Sequence, residues 1–385
     1  DETWLVPHFE KMLYDNALLA AAYAEVYQLT GKALYAEVAR ETLDYMLRDL
    51  SSPDGALYSA EDADSGGVEG AYYVWKYDEL ASVLDEDEFE GVRRVFGLSP
   101  GGNFEDGTSV LALQPDVPWE ERDTPVIAAL RRRLLDLRAE RERPRRDEKV
   151  LTSWNALAIE ALCRGYRALG DGRYLDAALR AAEFIKANLY RDGVLYRRYM
   201  EGDVRHGGTL DDYAYTIQGF ITLYESTFDS GWLGLAARLQ ETQNELFADE
   251  AGGYHYAPRD AEHLIARVKD FFDGAMPNSN AVSALNLLRL HRLTRDDAHL
   301  GRAFGVFGAS AALMRAHPSA FSQMLIALDF HLAPPFEAVI AGEPSSGEFI
   351  RIAGTLRRSF SPSLVIAGGD EGVPMAGGKQ LHGKA

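Results

Sequence analysis

Carboxylates gather with aromatic and amide side chains in four polar segments of this sequence, and each segment lies beside a turn or at the start of an apolar helical run. Positioned carboxyl groups can donate and accept protons. Carboxylates and amides also hydrogen-bond to sugar hydroxyls, while aromatic rings stack on the C–H faces of sugars. The four segments are 8–15 with His8, Glu10 and Asp15; 59–65 with Asp62 and Asp64; 210–213 with Asp211, Asp212 and Tyr213; and 269–280 with Asp273 and Asn280.

Two reactions on sugars suit such residues. Glycoside hydrolysis needs two carboxyl groups that flank the bond, one of them protonated. Epimerisation or isomerisation needs a base and an acid that flank a carbon beside a carbonyl group, and histidine often takes part. We expect Asp211 or Asp212 to be one acid/base partner and Glu10, Asp15 or Asp62 to be the other.

The residues expected to bind the sugar are a wider set around the same segments. Trp154 and Tyr213 are expected to stack on it, and Asn155 and Asn280 to orient its hydroxyl groups. The full set is His8, Asp64, Trp154, Asn155, Tyr213, Asp273 and Asn280.

Other kinds of site find little support. The sequence has no phosphate-binding glycine loop, no nucleophile elbow and no pair of histidines at helical spacing. No cofactor and no metal ion is therefore predicted. One alternative is a structural Ca²⁺ at Asp62 and Asp64, although the glycine spacing and the twelfth-position glutamate of an EF-hand are missing. For any single Asp or Ser at a helix start, capping of that helix is the simpler explanation.

Composition narrows the class of protein. The formal charge of −19 argues against a nucleic-acid partner, because neutralising phosphates needs clustered Lys and Arg. No run of 18 apolar residues predicts a membrane span. Cys163 is the only cysteine, which excludes a disulfide within the chain and suits a reducing compartment. We therefore expect a cytoplasmic protein whose partner is a small, sugar-like molecule.

The elements that would position these residues are internal repeats. Four copies of an apolar helix, a short turn and a more polar helix begin near Tyr14, Ser153, Asp211 and Ser279. The first three copies close with a Gly-containing turn, such as 54–58, 192–196 or 252–256. An apolar helix paired with an amphipathic one predicts a ring of inner and outer helices, with a solenoid as the alternative.

The remaining segments are less regular. Between the first two copies, 72–75 reads as a short strand, and helices are expected near 78–96 and 125–143. After residue 334 the pattern changes to two apolar strands around a helix. We predict a barrel over residues 1–333 and a small α/β appendage with a tail over residues 334–385.

Alignment of the repeats places several of the polar residues at equivalent positions. When Ala17, Ala156, Ala214 and Ala281 are superimposed, Asp15, Trp154, Asp212 and Ser279 fall at equivalent starts of inner helices. Helix starts carry unpaired N–H groups and the positive end of the helix dipole. This shared rim makes a functional face a better hypothesis than any one residue does.

Several of these motifs, in order along the chain, resemble the spermatogenesis-associated protein 20 family and its bacterial homologues. The motifs are VPHFEKMLYD at 6–15, the acidic loop 59–65, KVLTSWN at 149–155, LDDYA at 210–214 and the turn 273–277. The resemblance implies a mainly α fold, an (α/α)6 toroid of the six-hairpin glycosidase type, similar to N-acylglucosamine 2-epimerases. It also implies a preceding thioredoxin-like domain, which this sequence lacks, so we expect the sequence to begin inside the barrel.

The resemblance leaves two hypotheses about function. The first is a carbohydrate-active barrel, either a glycoside hydrolase or a sugar epimerase or isomerase. The second is a non-catalytic helical scaffold that binds a sugar or a partner beside the thioredoxin-like domain.

Overall fold

The computed structural model describes residues 2, 4–122, 124–261, 266–369 and 372–377, and its secondary structure is mainly α. The helices are α1 (Leu13–Thr30), α2 (Ala33–Asp49), α3 (Tyr77–Val83), α4 (Glu86–Phe96), α5 (Trp119–Arg122), α6 (Pro125–Ala139), α7 (Thr152–Leu169), α8 (Gly172–Phe184), α9 (Leu210–Thr227), α10 (Ser230–Phe247), α11 (Ser279–Thr294), α12 (Asp297–Ala316), α13 (Ser322–Leu332) and α14 (Gly347–Arg358). The strands are β1 (Lys11–Met12), β2 (Ala60–Glu61), β3 (Asp64–Ser65), β4 (Val68–Glu69), β5 (Trp75–Lys76), β6 (Thr108–Ser109), β7 (Arg146–Asp147), β8 (Val150–Leu151), β9 (Tyr190–Arg191), β10 (Val194–Met200), β11 (Asp203–Gly207), β12 (Phe336–Ile340) and β13 (Leu364–Gly368).

The chain forms two compact units. Unit 1 consists of Asp1–Met12 and Ala60–Asp147, and unit 2 consists of Leu13–Ser59 and Glu148–Ala385. Among the described residues, none of the helices combines the length and the apolar character that crossing a bilayer requires.

Unit 2 is built from the predicted helix pairs, each with one buried and one amphipathic member. Of the 18 residues of α9, 16 are buried, whereas only 5 of the 20 residues of α12 are. The inner helices pack in sequence, α1 on α7, α7 on α9, α9 on α11 and α11 on α13. The outer helices α2, α8, α10 and α12 each pack on the inner helix before them. The predicted fold class, a mainly α fold of the (α/α)6 toroid type, is confirmed.

The first inner helix differs from the expectation of a helix buried all round. Only four of the 18 residues of α1 are buried, namely Leu13, Ala17, Ala20 and Ala24. The reason is that α1 stands at the end of the series of inner helices. Its extensive helix contacts are with α2 and α7. Leu18 and Ala21, on another side of α1, line a cavity.

At the starts of α7, α9 and α11, one side chain bonds to the backbone of the turn that closes the preceding repeat. Asn155 accepts a hydrogen bond from the Leu57 N–H (2.8 Å) and donates one to the Leu57 carbonyl (2.9 Å). Asn280 makes the same pair of bonds with Tyr254, at 2.7 and 2.9 Å. Between them in the series, the Tyr213 hydroxyl accepts a bond from the Leu195 N–H (3.0 Å). We call these contacts the turn staples.

The turns that receive the staples share a backbone conformation. A glycine two residues before each stapled residue has a positive φ: 94° at Gly55, 85° at Gly193 and 91° at Gly252. An added Cβ at Gly252 would lie 2.3 Å from the Gly305 carbonyl oxygen. Glycine is required there for both reasons, since L side chains disfavour that φ and the space is filled.

Unit 1 contains the less regular part of the chain. Strands β1, β2 and β7 form an antiparallel sheet, and helices α3, α4 and α6 surround a small core with Trp75, Leu80 and Leu130. The predicted strand at 72–75 is limited to Trp75–Lys76, and the residues before it form a turn. The helix expected near 78–96 is broken because Asp85 caps α4, accepting a bond from the Glu88 N–H.

Residues 336–368 form a βαβ unit within unit 2, which we call the appendage. Strands β12 and β13 pair in parallel, and α14 connects them. Its apolar residues, including Phe349 and Ile366, form a small core with Phe228 of the α9–α10 turn. The division of the chain at residue 334 stays a prediction.

Replacing a stapling asparagine should destabilise the protein without changing its fold class. Asn280→Ala removes three hydrogen bonds, to the Tyr254 N–H and to the carbonyls of Tyr254 and Asp270. Because these groups lie in a buried site, we expect a loss of roughly 2–4 kcal/mol in the free energy of unfolding. Chemical denaturation measures this, with the exposed Glu241→Ala of α10 as the control, which should change it by less than about 0.5 kcal/mol. Equal effects of the two substitutions would show that the staple is not a main stabilising contact.

Candidate functional site

The inner helices of unit 2 line an open cavity of about 600 Å³, a size typical of sites for small molecules. We call it the interior cavity. Its wall has an apolar side, where Leu18 and Ala21 of α1 face the cavity together with Leu325 and Ile326 of α13. Phe330 and Phe360 add aromatic rings to the wall. The cavity can therefore hold a molecule that presents apolar faces as well as polar groups.

Polar side chains line another part of the same cavity. Glu25, Glu160 and Asp329 supply carboxyl groups, and Gln218 and Gln323 supply amides. Glu160 is 6% exposed and lies in α7, among residues that are otherwise mostly apolar. Burial, opposed by the Arg289 charge and assisted by the Glu225 charge, raises the pKa of Glu160 to about 7. A carboxyl group with such a pKa can both donate and accept a proton near neutral pH.

A network of charged residues lies beside the interior cavity, around a smaller space of about 100 Å³. We call it the ionic cluster. Arg164 donates to Glu160 at 2.9 and 2.5 Å and also pairs with Glu25. Glu225 Oε2 accepts hydrogen bonds from Arg167 (3.2 Å) and Arg289 (3.0 Å). The complete cluster is Glu25, Glu160, Arg164, Arg167, Glu225, Arg289 and Arg357.

The fourth arginine of the cluster comes from the appendage. Arg357, near the end of α14, donates to the Glu225 carbonyl from Nε (3.2 Å) and Nη2 (3.1 Å). Its guanidinium lies 4.6 Å from the centre of the Phe228 ring. The appendage therefore contributes a cation to the wall of the space as well as packing on unit 2.

A second pocket, of about 270 Å³, lies at the predicted rim and contains Asp211. The Tyr256 hydroxyl lies 3.2 Å from Asp211 Oδ2, and Arg197 donates to that hydroxyl at 3.3 Å. Burial raises the pKa of Asp211, while hydrogen bonds from Ser279 and Tyr256 oppose the rise. Asp211 is the one member of the predicted acid/base set that lines one of the cavities described above.

Asp212, next to it, faces the protein interior. Its carboxylate is fully buried and accepts bonds from the Ser153 N–H (3.0 Å) and from the N–H (2.8 Å) and hydroxyl (3.1 Å) of Thr209. Burial is the main cause that raises its pKa to about 6. These contacts cap α9 and tie it to the start of α7, and a catalytic role for Asp212 stays a prediction.

The residues predicted to bind sugar are mostly engaged with the fold. The amide groups of Asn155 and Asn280 and the Tyr213 hydroxyl form the turn staples, and all three residues are buried. Asp273 accepts the N–H groups of Asn278 (2.8 Å) and Gln323 (2.9 Å). Trp154 packs against Tyr14 with ring centres 4.9 Å apart. Contact of these groups with a ligand would require breaking or sharing those bonds.

The other predicted residues are exposed. Asp15 lies in the first turn of α1, and His8, Glu10, Asp62 and Asp64 belong to unit 1. Within the acidic loop, the Asp64 N–H lies 3.4 Å from Asp62 Oδ1. Across the residues that the structure describes, no group of three His, Cys, Asp or Glu side chains is placed to hold a metal ion. The pairing of Asp211 or Asp212 with a carboxylate of unit 1 stays a prediction.

Sequence reasoning missed the charged residues of the inner helices. Glu160, Arg164, Glu225 and Arg289 lie within helices that were interpreted only as apolar core. The available signal was the cost of burying a charge: ionic residues inside a helix that is apolar on all sides must be paired or functional. Cys163, from the same helix α7, is buried and free, as expected of a core thiol.

These features define a class: an α/α-toroid protein whose inner helices surround a cavity with a buried ionic cluster. The human protein named spermatogenesis-associated protein 20 is 33% identical to this chain, over 96% of this chain and 53% of the human protein. The mouse protein of that name is also 33% identical, with the same coverage. The chain is therefore homologous to spermatogenesis-associated protein 20, as its motifs predicted, and it spans about half the length of these relatives. No family model matches the chain.

Solved structures that resemble the chain are more distant. A cellobiose 2-epimerase from Spirochaeta thermophila aligns with a TM-score of 0.47 and 11% identity, over 82% of this chain and 61% of its own. A D-mannose isomerase aligns with a TM-score of 0.41 and 15% identity, over 79% of this chain and 75% of its own.

The pKa of Glu160 predicts how stability depends on pH. The folded protein keeps a proton on Glu160 up to about pH 7, whereas the unfolded chain releases it near the ordinary value of 4.5. The protonated Glu160 therefore adds about 3 kcal/mol to the free energy of unfolding below pH 4.5, and this contribution is lost as the pH rises to 7. Glu160→Gln should remove this contribution. The free energy of unfolding of the variant minus that of the wild type should therefore increase with pH over this range.

Denaturation at several pH values measures that difference. The exposed Glu241→Gln serves as the control and should follow the wild-type curve. Parallel curves for Glu160→Gln and wild type would contradict a raised pKa at Glu160.

Proposed function

We propose that this protein is a carbohydrate-active barrel that binds a sugar in the interior cavity and uses Glu160 as a general acid/base. The observation that carries the proposal is a buried carboxyl group, with a pKa near 7, on the wall of a cavity of sugar size. Phe330 and Phe360 would stack on the sugar ring, and Gln218 and Gln323 would hydrogen-bond to its hydroxyl groups.

The cost of the ionic cluster supports a function beyond folding. Burying charged groups carries a desolvation penalty, and well-packed hydrophobic replacements of buried ion pairs are often neutral or stabilising. Seven ionic residues around two adjacent spaces are therefore poorly explained by stability alone. A role in binding or turnover explains why this part of the wall is charged.

In a hydrolysis, Glu160 would give its proton to the glycosidic oxygen as the bond from that oxygen to the anomeric carbon breaks. A carboxylate on the other side of the sugar, such as Asp329, would take a proton from the water molecule that attacks that carbon. In an epimerisation, one carboxylate would remove the proton from a carbon beside a carbonyl group, and a protonated acid would return one to the opposite face. Both reactions use the same two residues.

The acid/base pair expected from the sequence remains an alternative location for this chemistry. In that arrangement Asp211 or Asp212 would act with Glu10, Asp15 or Asp62. Asp211 supports it best, since it lies in a pocket and hydrogen-bonds to Tyr256. A cytoplasmic location and a thioredoxin-like domain in the full-length protein also stay predictions.

A second candidate function is sugar binding without turnover. The ion pair favours it, because Arg164 holds the Glu160 carboxylate with two short hydrogen bonds. In that case the protein would bind a sugar or support a partner, and the cluster would only orient the ligand.

Turnover by the full-length protein distinguishes the proposed sites. Incubation with a panel of mono- and disaccharides, followed by NMR of the products, should reveal hydrolysis or epimerisation. Glu160→Gln should lower the rate by about 100-fold or more, since general acid/base catalysis contributes roughly that much. Asp211→Asn should have a smaller effect, and the exposed Glu241→Gln should have none.

Loss of turnover in Asp211→Asn with full turnover in Glu160→Gln would place the chemistry at the rim instead. Binding of a sugar that is never converted would support the second candidate function.

A further inference from the structure

The ionic cluster contains more positive than negative groups. Arg164, Arg167, Arg289 and Arg357 face three carboxylates, those of Glu25, Glu160 and Glu225. Because the pKa of Glu160 lies near 7, part of its negative charge is absent at neutral pH, which increases the excess. The whole chain has a formal charge of −19, so the positive excess is local to the wall of the 100 Å³ space.

The guanidinium groups have hydrogen-bonding capacity left for a ligand. A guanidinium carries five N–H donors in a planar fork. In the described part of the chain, Arg167 donates to Glu225 through Nη1 alone, and Arg289 donates to Glu225 and Thr222 through Nη2 alone. Both arginines line the 100 Å³ space.

The cations also disfavour one another. Burial and then the neighbouring charges of Arg289 and Arg167 lower the pKa of Arg164. Burial, with Arg167 nearby, lowers the pKa of Arg357. An anion in this space would oppose that repulsion, and arginine forks match the planar or tetrahedral oxygens of carboxylate and phosphate.

The space borders the interior cavity, because both share Glu25, Arg164, Phe330 and Phe360 as lining residues. A molecule whose ring lies in the larger cavity can thus present a small group to Arg164, which lines both spaces. We propose that the ligand of this protein is an anionic sugar, whose carboxylate or phosphate group binds the arginines of the ionic cluster. This inference rests on the proposed function and names its substrate class.

Calorimetric titration of the full-length protein tests the inference with glucose, glucuronate and glucose 6-phosphate. At least one anionic sugar should bind about tenfold or more tightly than glucose, since charged hydrogen bonds are stronger than neutral ones. The difference between glucuronate and glucose 6-phosphate identifies the anionic group. Anionic sugars that bind no better than glucose would overturn the inference and leave the proposed function standing. No binding of any sugar by the folded protein would overturn both.

Two substitutions test the cluster itself. Arg289→Gln should lower affinity for the anionic sugar by about tenfold or more and lower the affinity for glucose much less. Glu25→Gln removes the carboxylate that pairs with Arg164, so it should raise affinity for the anionic sugar, a gain that misfolding cannot produce. Arg315→Gln, exposed on α12, is the matched control and should bind like wild type. If Glu25→Gln and Arg289→Gln also bind the anionic sugar like wild type, the cluster does not bind the anion.

Discussion

The structure of unit 2 depends on the turn staples, in which a side chain at an inner-helix start bonds to the backbone of the preceding turn. Asn155, Tyr213 and Asn280 occupy the same position in successive repeats and bond to Leu57, Leu195 and Tyr254. These bonds satisfy buried backbone groups of the three stapled residues and attach each stapled helix to the turn of the preceding repeat. The helices then pack in sequence with their polar residues at matching depth.

That alignment explains how charged residues come together among the apolar inner helices. Glu25, Arg164, Glu225 and Arg289 come from four different inner helices, and each lies well beyond the stapled helix start. Their mutual pairing offsets part of the cost of their burial. The ordered helices leave a cavity beside them, because α1 and α13 present small or apolar side chains to it. The alignment of the inner helices therefore determines both the fold of unit 2 and the position of the candidate site.

Much of the fold was predictable because the repeats show the alternation of buried and amphipathic helices directly. The same register identified the starts of the inner helices, but it could not separate a ligand-binding amide from one that bonds to a turn. Asn155 and Asn280 illustrate this, since their partners lie 98 and 26 residues earlier in the chain. Glu160 was missed for a related reason: its raised pKa arises from burial and from charges on other helices, which no local pattern displays.

The central claim is that the interior cavity, with its ionic cluster, is the ligand site. A crystal structure of the full-length protein with bound glucuronate tests it most directly. We expect the sugar ring beside Phe330 and Phe360, and its carboxylate within hydrogen-bonding distance of Arg289 or Arg167. A cavity filled by the protein's own side chains, or glucuronate bound only beside Asp211 at the rim, would contradict the account.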